Sequence, residues 1–75
     1  MYNSTLARII DEAINDCITY GSGQGIAHME TGGGRVGTVS VVTSWADDEE
    51  SIEVAIYENQ VLRFSYIERI PEEYR

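Results

Sequence analysis

The residues best suited to phosphate chemistry lie in one glycine-rich stretch, residues 21–37, which holds all seven glycines of the chain. Its second half contains a G-x-G-x-x-G pattern, whose first residues are Gly32, Gly33, Gly34 and Arg35. In dinucleotide-binding proteins this pattern opens a helix, whereas a strand is predicted here, so that function is excluded. Backbone N–H groups of a hairpin could still hold a nucleotide phosphate beside Arg35, although glycine-rich hairpins are mostly only turns.

Two other residues could do covalent chemistry: Cys17 and His28, the only cysteine and the only histidine. A nucleophilic dyad needs both in one cleft, but Cys17 falls on the apolar side of a predicted helix, where it is expected to be a core residue. One cysteine and one histidine also make a structural zinc site implausible, and the calcium-loop pattern is absent. We therefore predict no enzymatic activity, no cofactor and no metal site.

The acidic residues give the stronger chemical signal. The chain has thirteen acidic residues against five arginines and no lysine, which gives a net charge of −8. Such a chain is repelled by nucleic acid and anionic membranes and is attracted to basic protein surfaces. We call the two densest acidic segments together the acidic end, and its residues are Asp47, Asp48, Glu49, Glu50, Glu72 and Glu73. A solvated loop and tail, or a docking surface for a basic partner, would both account for them.

The hydrophobic pattern predicts an α+β fold that positions these residues. Apolar residues at helical spacing predict an amphipathic helix over residues 4–20. Apolar residues then alternate with polar ones, which predicts strands at 26–31, 36–45, 51–58 and 61–69. Short connections between them favour an antiparallel four-stranded meander, with the helix covering one side of the sheet as a second layer.

The alternation also assigns side chains to the two sides of the sheet. The residues expected to face the helix are Ala27, Met29, Val39, Val41, Thr43, Trp45, Ile52, Val54, Ile56, Leu62, Phe64 and Tyr66. The apolar residues expected on the other side are Val42, Ala55, Tyr57 and Ile67. An apolar patch there is a candidate dimer surface or ordinary solvent-exposed surface.

Successive hairpins of a meander lie at alternate ends of the sheet. We therefore expect residues 32–34 and 59–60 at one end and the acidic end at the other. Residues 21–25, with Gly21 ending the helix, should lie beside the acids as a flexible connector. About 20 Å of strand would separate the two glycine clusters, so they cannot form one phosphate site.

Chain length and cysteine content limit how the protein can be stabilised and in which compartment it is expected. Its 75 residues predict one domain near the lower size limit for a self-sufficient core, and no disulfide can form within it. Self-association is the economical way to add stability, so we expect a homodimer. The first twenty residues contain charges and no long apolar run, and the one cysteine is unpaired, which together favour a soluble cytoplasmic protein.

In size, acidity, α+β layout and lack of a catalytic set, the chain resembles small phage-encoded inhibitors, of which the anti-CRISPR proteins are the best-known kind. The resemblance implies a protein that occupies a nucleic-acid-binding surface of a larger complex, in some cases as a dimer. The carboxylates of residues 47–50 would then stand in for phosphates. The function predicted first is thus a non-enzymatic inhibitor, and the alternative is a nucleotide-binding homo-oligomer.

Overall fold

A computed structural model describes residues 4–74, with side chains left undescribed at residues 31 and 32. The elements are helix α1 (Ser4–Tyr20), strands β1 (Ser22–Gly32), β2 (Arg35–Trp45), β3 (Ser51–Glu58) and β4 (Val61–Arg69), and a short 3₁₀ turn (Glu72–Tyr74). The strands form one antiparallel sheet in the order β1-β2-β3-β4, and α1 packs on one side of it. The predicted helix followed by a four-stranded meander is confirmed.

Strand β1 begins four residues earlier than predicted. Residues 22–25 are not a flexible connector, because they pair in regular antiparallel register with residues 41–44 of β2. Only Gly21 lies between α1 and β1. It has a φ of +96°, and its N–H donates to the Cys17 carbonyl at 2.8 Å, so its predicted place at the helix end is confirmed.

The two glycines inside this part of β1 let the helix come close to the sheet. A methyl group added to Gly23 would overlap the Ala13 carbonyl oxygen, and one added to Gly25 would lie 2.7 Å from the Ile9 carbonyl oxygen. The space above Gly23 is crossed instead by a hydrogen bond, in which the buried Thr43 hydroxyl donates to Ala13 O at 2.7 Å. The helix consequently lies mainly over β1, with less contact to β2 and β3.

The core lies between α1 and the first three strands. The inward positions predicted for β2 and β3 are confirmed, except that Trp45 is only half-buried; its indole N–H donates to the Cys17 carbonyl. Ala27 and Met29 of β1 pack against the core, as expected. Sequence reasoning missed Ile70, which is 4% exposed although it follows the last strand. The buried hydrophobic residues are Ile9, Ile10, Ala13, Cys17, Val39, Val41, Ile52, Val54, Ile56 and Ile70.

The side predicted for β4 is right for Phe64 and Tyr66 and wrong for Leu62, and of these three only Tyr66 packs against the core. The β3–β4 register skips Arg63, since Ile56 pairs with Phe64 but Tyr57 pairs with Leu62. This β-bulge reverses the alternation and turns Leu62 to the side away from the helix. Phe64 keeps the helix side, yet it stays exposed because α1 lies over β1.

Two-residue turns close the two hairpins at one end of the sheet. Gly33 and Gly34 have φ values of +60° and +73°, which a tight hairpin turn requires. Asn59 and Gln60 also have positive φ values. The second turn is tied to β2, because the Asn59 N–H donates to Thr38 O at 2.8 Å and the Asn59 side chain accepts from Thr38 N–H at 3.0 Å. Their predicted placement at one end is confirmed.

Candidate functional site

The acidic end forms where the β2–β3 loop, residues 46–50, meets the segment that follows β4. The Ile70 N–H donates to the Glu50 carbonyl at 3.0 Å, which ties the two segments together. The 3₁₀ turn that carries Glu72 and Glu73 begins two residues later. The topology thus brings all six predicted acidic residues to the same end of the sheet.

Asp48 organises the loop rather than facing outward as a free charge. Its Oδ1 accepts from the backbone N–H groups of Glu50 at 2.9 Å and Ser51 at 3.1 Å, and its Oδ2 accepts from the Ser51 hydroxyl at 3.3 Å. The Glu50 N–H bond is the main cause that lowers the pKa of Asp48, with smaller contributions from Ser51 and the Arg69 charge. Asp48 is therefore a structural residue of the turn.

One arginine does lie among these acids, although no balancing cation was expected from the sequence. The Arg69 guanidinium is 3.6 Å from the Glu50 carboxylate, and both groups are partly exposed. This contact exists because β4 runs antiparallel to β3, so that Arg69 pairs with Ser51 beside the loop. Glu50 is thus partly neutralised and belongs to the framework of the loop.

The remaining four carboxylates of the acidic end are exposed. They belong to Asp47, Glu49, Glu72 and Glu73, and none has a hydrogen bond or ion pair with any residue between 4 and 74. Glu49 is held in an ordered turn, because its φ is +58° and its N–H donates to Ala46 O at 3.0 Å. A fixed loop therefore presents negative charge to solvent at this end.

Comparisons of the chain with protein families, curated proteins and solved structures found no match. Residues 4–74 contain no helix with the length and apolar character needed to cross a membrane. The same residues contain no group of three or more His, Cys, Asp or Glu side chains arranged to hold a metal ion.

The glycine-rich hairpin lies at the opposite end from the acids. The turn alone requires Gly33 and Gly34, because both have positive φ, and Arg35 is exposed at the start of β2. Along β1 the two ends are about 36 Å apart, at about 3.3 Å per residue over eleven residues. The nucleotide hypothesis for residues 32–35 stays a prediction.

The two residues considered for covalent chemistry do not meet. Cys17 is completely buried on the side of α1 that faces the sheet, and burial raises the pKa of its thiol. His28 lies on the opposite side of the sheet, where its Nδ1 is 3.2 Å from the Thr38 hydroxyl. A protonated thiol enclosed by the core and an imidazole on the far surface cannot form a nucleophile and base pair.

Sequence reasoning underestimated the exposed apolar surface. Val42 and Ile67 lie exposed on the side away from the helix, as predicted, with Ala55 and Tyr57 half-buried beside them. The structure adds Ile26 of β1 and, through the bulge, Leu62 of β4. Strand β4 is the most exposed element of the sheet, with eight of its nine residues exposed.

Proposed function

We propose that this protein is a non-enzymatic protein-binding module, an inhibitor that docks through its acidic end on a basic, nucleic-acid-binding surface of a larger protein. The observation that carries the proposal is the group of four exposed carboxylates, unpaired among the described residues, on an end ordered by other contacts. Asp48 and Glu50 keep the loop in shape, while Asp47, Glu49, Glu72 and Glu73 are left to meet a partner.

The charge distribution supports docking rather than simple solubility. A preformed loop loses little conformational freedom on binding, which favours affinity. Like charges held close together repel one another, and that cost is relieved when a basic surface covers them. The net charge of −8 would also steer the protein toward positively charged partners and away from nucleic acid.

The test compares two variants that each lose four negative charges. The acidic-end variant carries Asp47→Asn, Glu49→Gln, Glu72→Gln and Glu73→Gln, and it keeps Asp48 and Glu50 so that the loop still folds. The control variant carries Asp11→Asn, Asp16→Asn, Glu30→Gln and Glu53→Gln, which are exposed residues elsewhere on the protein. The wild-type protein is used to capture a partner from nuclease-treated lysate of the source cell, and that partner is then purified.

We expect the purified partner to bind nucleic acid and to lose an oligonucleotide when the wild-type protein is added. Its Kd for the acidic-end variant should rise by about tenfold or more, while the control variant should stay within about twofold of wild type. Raising the salt concentration should weaken the complex. Equal loss of binding in both variants would mean that net charge alone, and not the position of the acids, determines binding, and it would refute the proposal. A partner that holds oligonucleotide and inhibitor together would also refute the proposal.

A further inference from the structure

Strand β4 is uncovered at its edge, and all of its side chains except Tyr66 are exposed. It ends the strand order, so its outer backbone groups face no other strand of residues 4–74. The helix contacts β1, β2 and β3 and leaves β4 largely free. The exposed fractions are 57% for Val61, 53% for Leu62, 45% for Phe64 and 57% for Ile67. A long, apolar edge strand is a template for pairing with another strand.

We propose that β4 is the dimer interface of this protein, and that two copies join antiparallel at this edge to form one continuous eight-stranded sheet. The twofold axis would pass through Ser65. Residues that lie opposite each other in two antiparallel strands have their side chains on the same side of the sheet. The twofold axis must therefore pass through a residue of β4, and alternative registers move it from one residue to the next. Among the possible registers, the charged and aromatic residues of β4 favour this one.

The Ser65 register gives favourable pairs across the axis. Phe64 lies opposite Tyr66 of the second copy, and the pair occurs twice by symmetry. Within one copy these two rings already stack, with ring centroids 6.4 Å apart. The dimer would therefore contain a cluster of four aromatic rings on the helix side, a type of cross-strand contact that stabilises sheets.

The neighbouring registers are less favourable. Centring the axis on Tyr66 would put Arg63 opposite Arg69 of the second copy, which sets like charges against each other. Centring it on Phe64 would bring the bulge at Arg63 next to the axis and interrupt the regular pairing. In the Ser65 register Arg63 instead meets Ile67, no like-charged pair is formed, and regular pairing extends over residues 63–67 before the bulge interrupts it.

Antiparallel pairing also suits two molecules that each carry a charge of −8. It directs the acidic end of one copy toward the hairpin end of the other, so the two acidic ends lie far apart. A dimer formed instead by stacking the sides away from the helix would enclose Glu30 and Glu53 of both copies. Burying unpaired carboxylates is costly, so the β4 edge is the better interface.

The expected dimer is a weak one. Each of the four half-exposed apolar side chains could bury on the order of 100 Å² in the dimer, which gives about 400 Å² per copy. A stable interface buries about 800 Å² per partner. The backbone hydrogen bonds of the paired edges must supply the rest. We expect dissociation in the micromolar range, and association that strengthens with salt because salt screens the mutual repulsion.

Sedimentation velocity from low to high micromolar concentration tests the interface. Ser65→Lys places two positive charges opposite each other at the axis, and it should raise the dimer dissociation constant by about tenfold or more. Ser44→Lys adds the same charge at an exposed position of β2 and should not weaken association. A wild-type protein that stays monomeric throughout this range, or a dimer unaffected by Ser65→Lys, would overturn the proposal.

Cross-linking tests the register independently of stability. Under mild oxidation, Ser65→Cys should form a disulfide between two copies, because residues opposite each other at the axis are within disulfide reach. Ile67→Cys is also at an exposed position but lies opposite Arg63, so it should cross-link at least about tenfold more slowly. Cys17 is buried and does not compete. Equal rates for the two variants would contradict the Ser65 register.

Discussion

The close approach of α1 to β1 predicts that Gly23→Ala will destabilise the protein strongly. Alanine normally suits a strand as well as glycine does or better, and it reduces the entropy of the unfolded chain, so on local grounds it would stabilise by about 0.4–1 kcal/mol. Here the added methyl group overlaps the Ala13 carbonyl oxygen and lies 2.7 Å from the Thr43 hydroxyl. Neither group can move alone, because one is helix backbone and the other is hydrogen-bonded to it.

The magnitude follows from the two contacts that must give way. Overpacking a core by one methyl group costs about 1–3 kcal/mol, and a buried hydrogen bond left incomplete costs a further 1–3 kcal/mol or so. After the entropy gain is subtracted, the net loss is on the order of 3 kcal/mol. In a domain of this size that loss lowers Tm by roughly 12–24 °C.

Urea unfolding followed by the fluorescence of Trp45, the only tryptophan, measures the loss directly. All proteins are compared at one concentration, because a dimer makes the midpoint concentration-dependent. Gln24→Ala is the control, since Gln24 is the exposed neighbour on the other side of β1, and it should change stability by no more than about 0.5 kcal/mol. A Gly23→Ala protein as stable as wild type would refute the close-packing argument.

Two further predictions concern titrating groups. Because its folded pKa is depressed, Asp48 contributes stability that is present above its ordinary pKa of 3.8 and is lost as pH falls through the folded value. Urea midpoints between pH 7 and pH 2 should show a smaller acid-side loss in Asp48→Asn than in wild type; an equal loss in the two proteins would contradict the assignment. Cys17 has a raised pKa, so stability should decline as pH rises from 9.0 through the folded value. Its thiol should react with a colorimetric disulfide reagent only in urea, and rapid labelling of the folded protein would show that the site is open.

Much of this fold follows from local sequence patterns. The helix and the two central strands have unbroken hydrophobic periods, and the turns at Gly33 and Asn59 carry residues suited to positive φ. The start of β1 could not be predicted, because Gly23 and Gly25 have no side chains to show a period of two. Their strand is defined by pairing with β2 and by the helix above them, which are long-range contacts.

The same distinction applies to the acidic end and to β4. Topology alone predicted that the six acids would gather at one end. The role of Asp48 depends on backbone N–H groups two and three residues later, and the position of Arg69 depends on strand register. The bulge at Arg63 leaves the apolar pattern of the sequence intact, so only the observed register shows that Leu62 has changed sides.

The glycines of β1 and the exposure of β4 have one physical cause. A helix is about 10 Å wide, whereas three steps between strands about 4.8 Å apart carry β4 roughly 14 Å from β1. One helix therefore cannot cover all four strands, and its position decides which edge stays open. Gly23 and Gly25 allow the closest contact on the β1 side, and the Thr43 hydrogen bond holds the helix there. The tight packing on β1 thus leaves the β4 edge uncovered. This edge runs along the strand direction, whereas the exposed acids lie at one end of the strands.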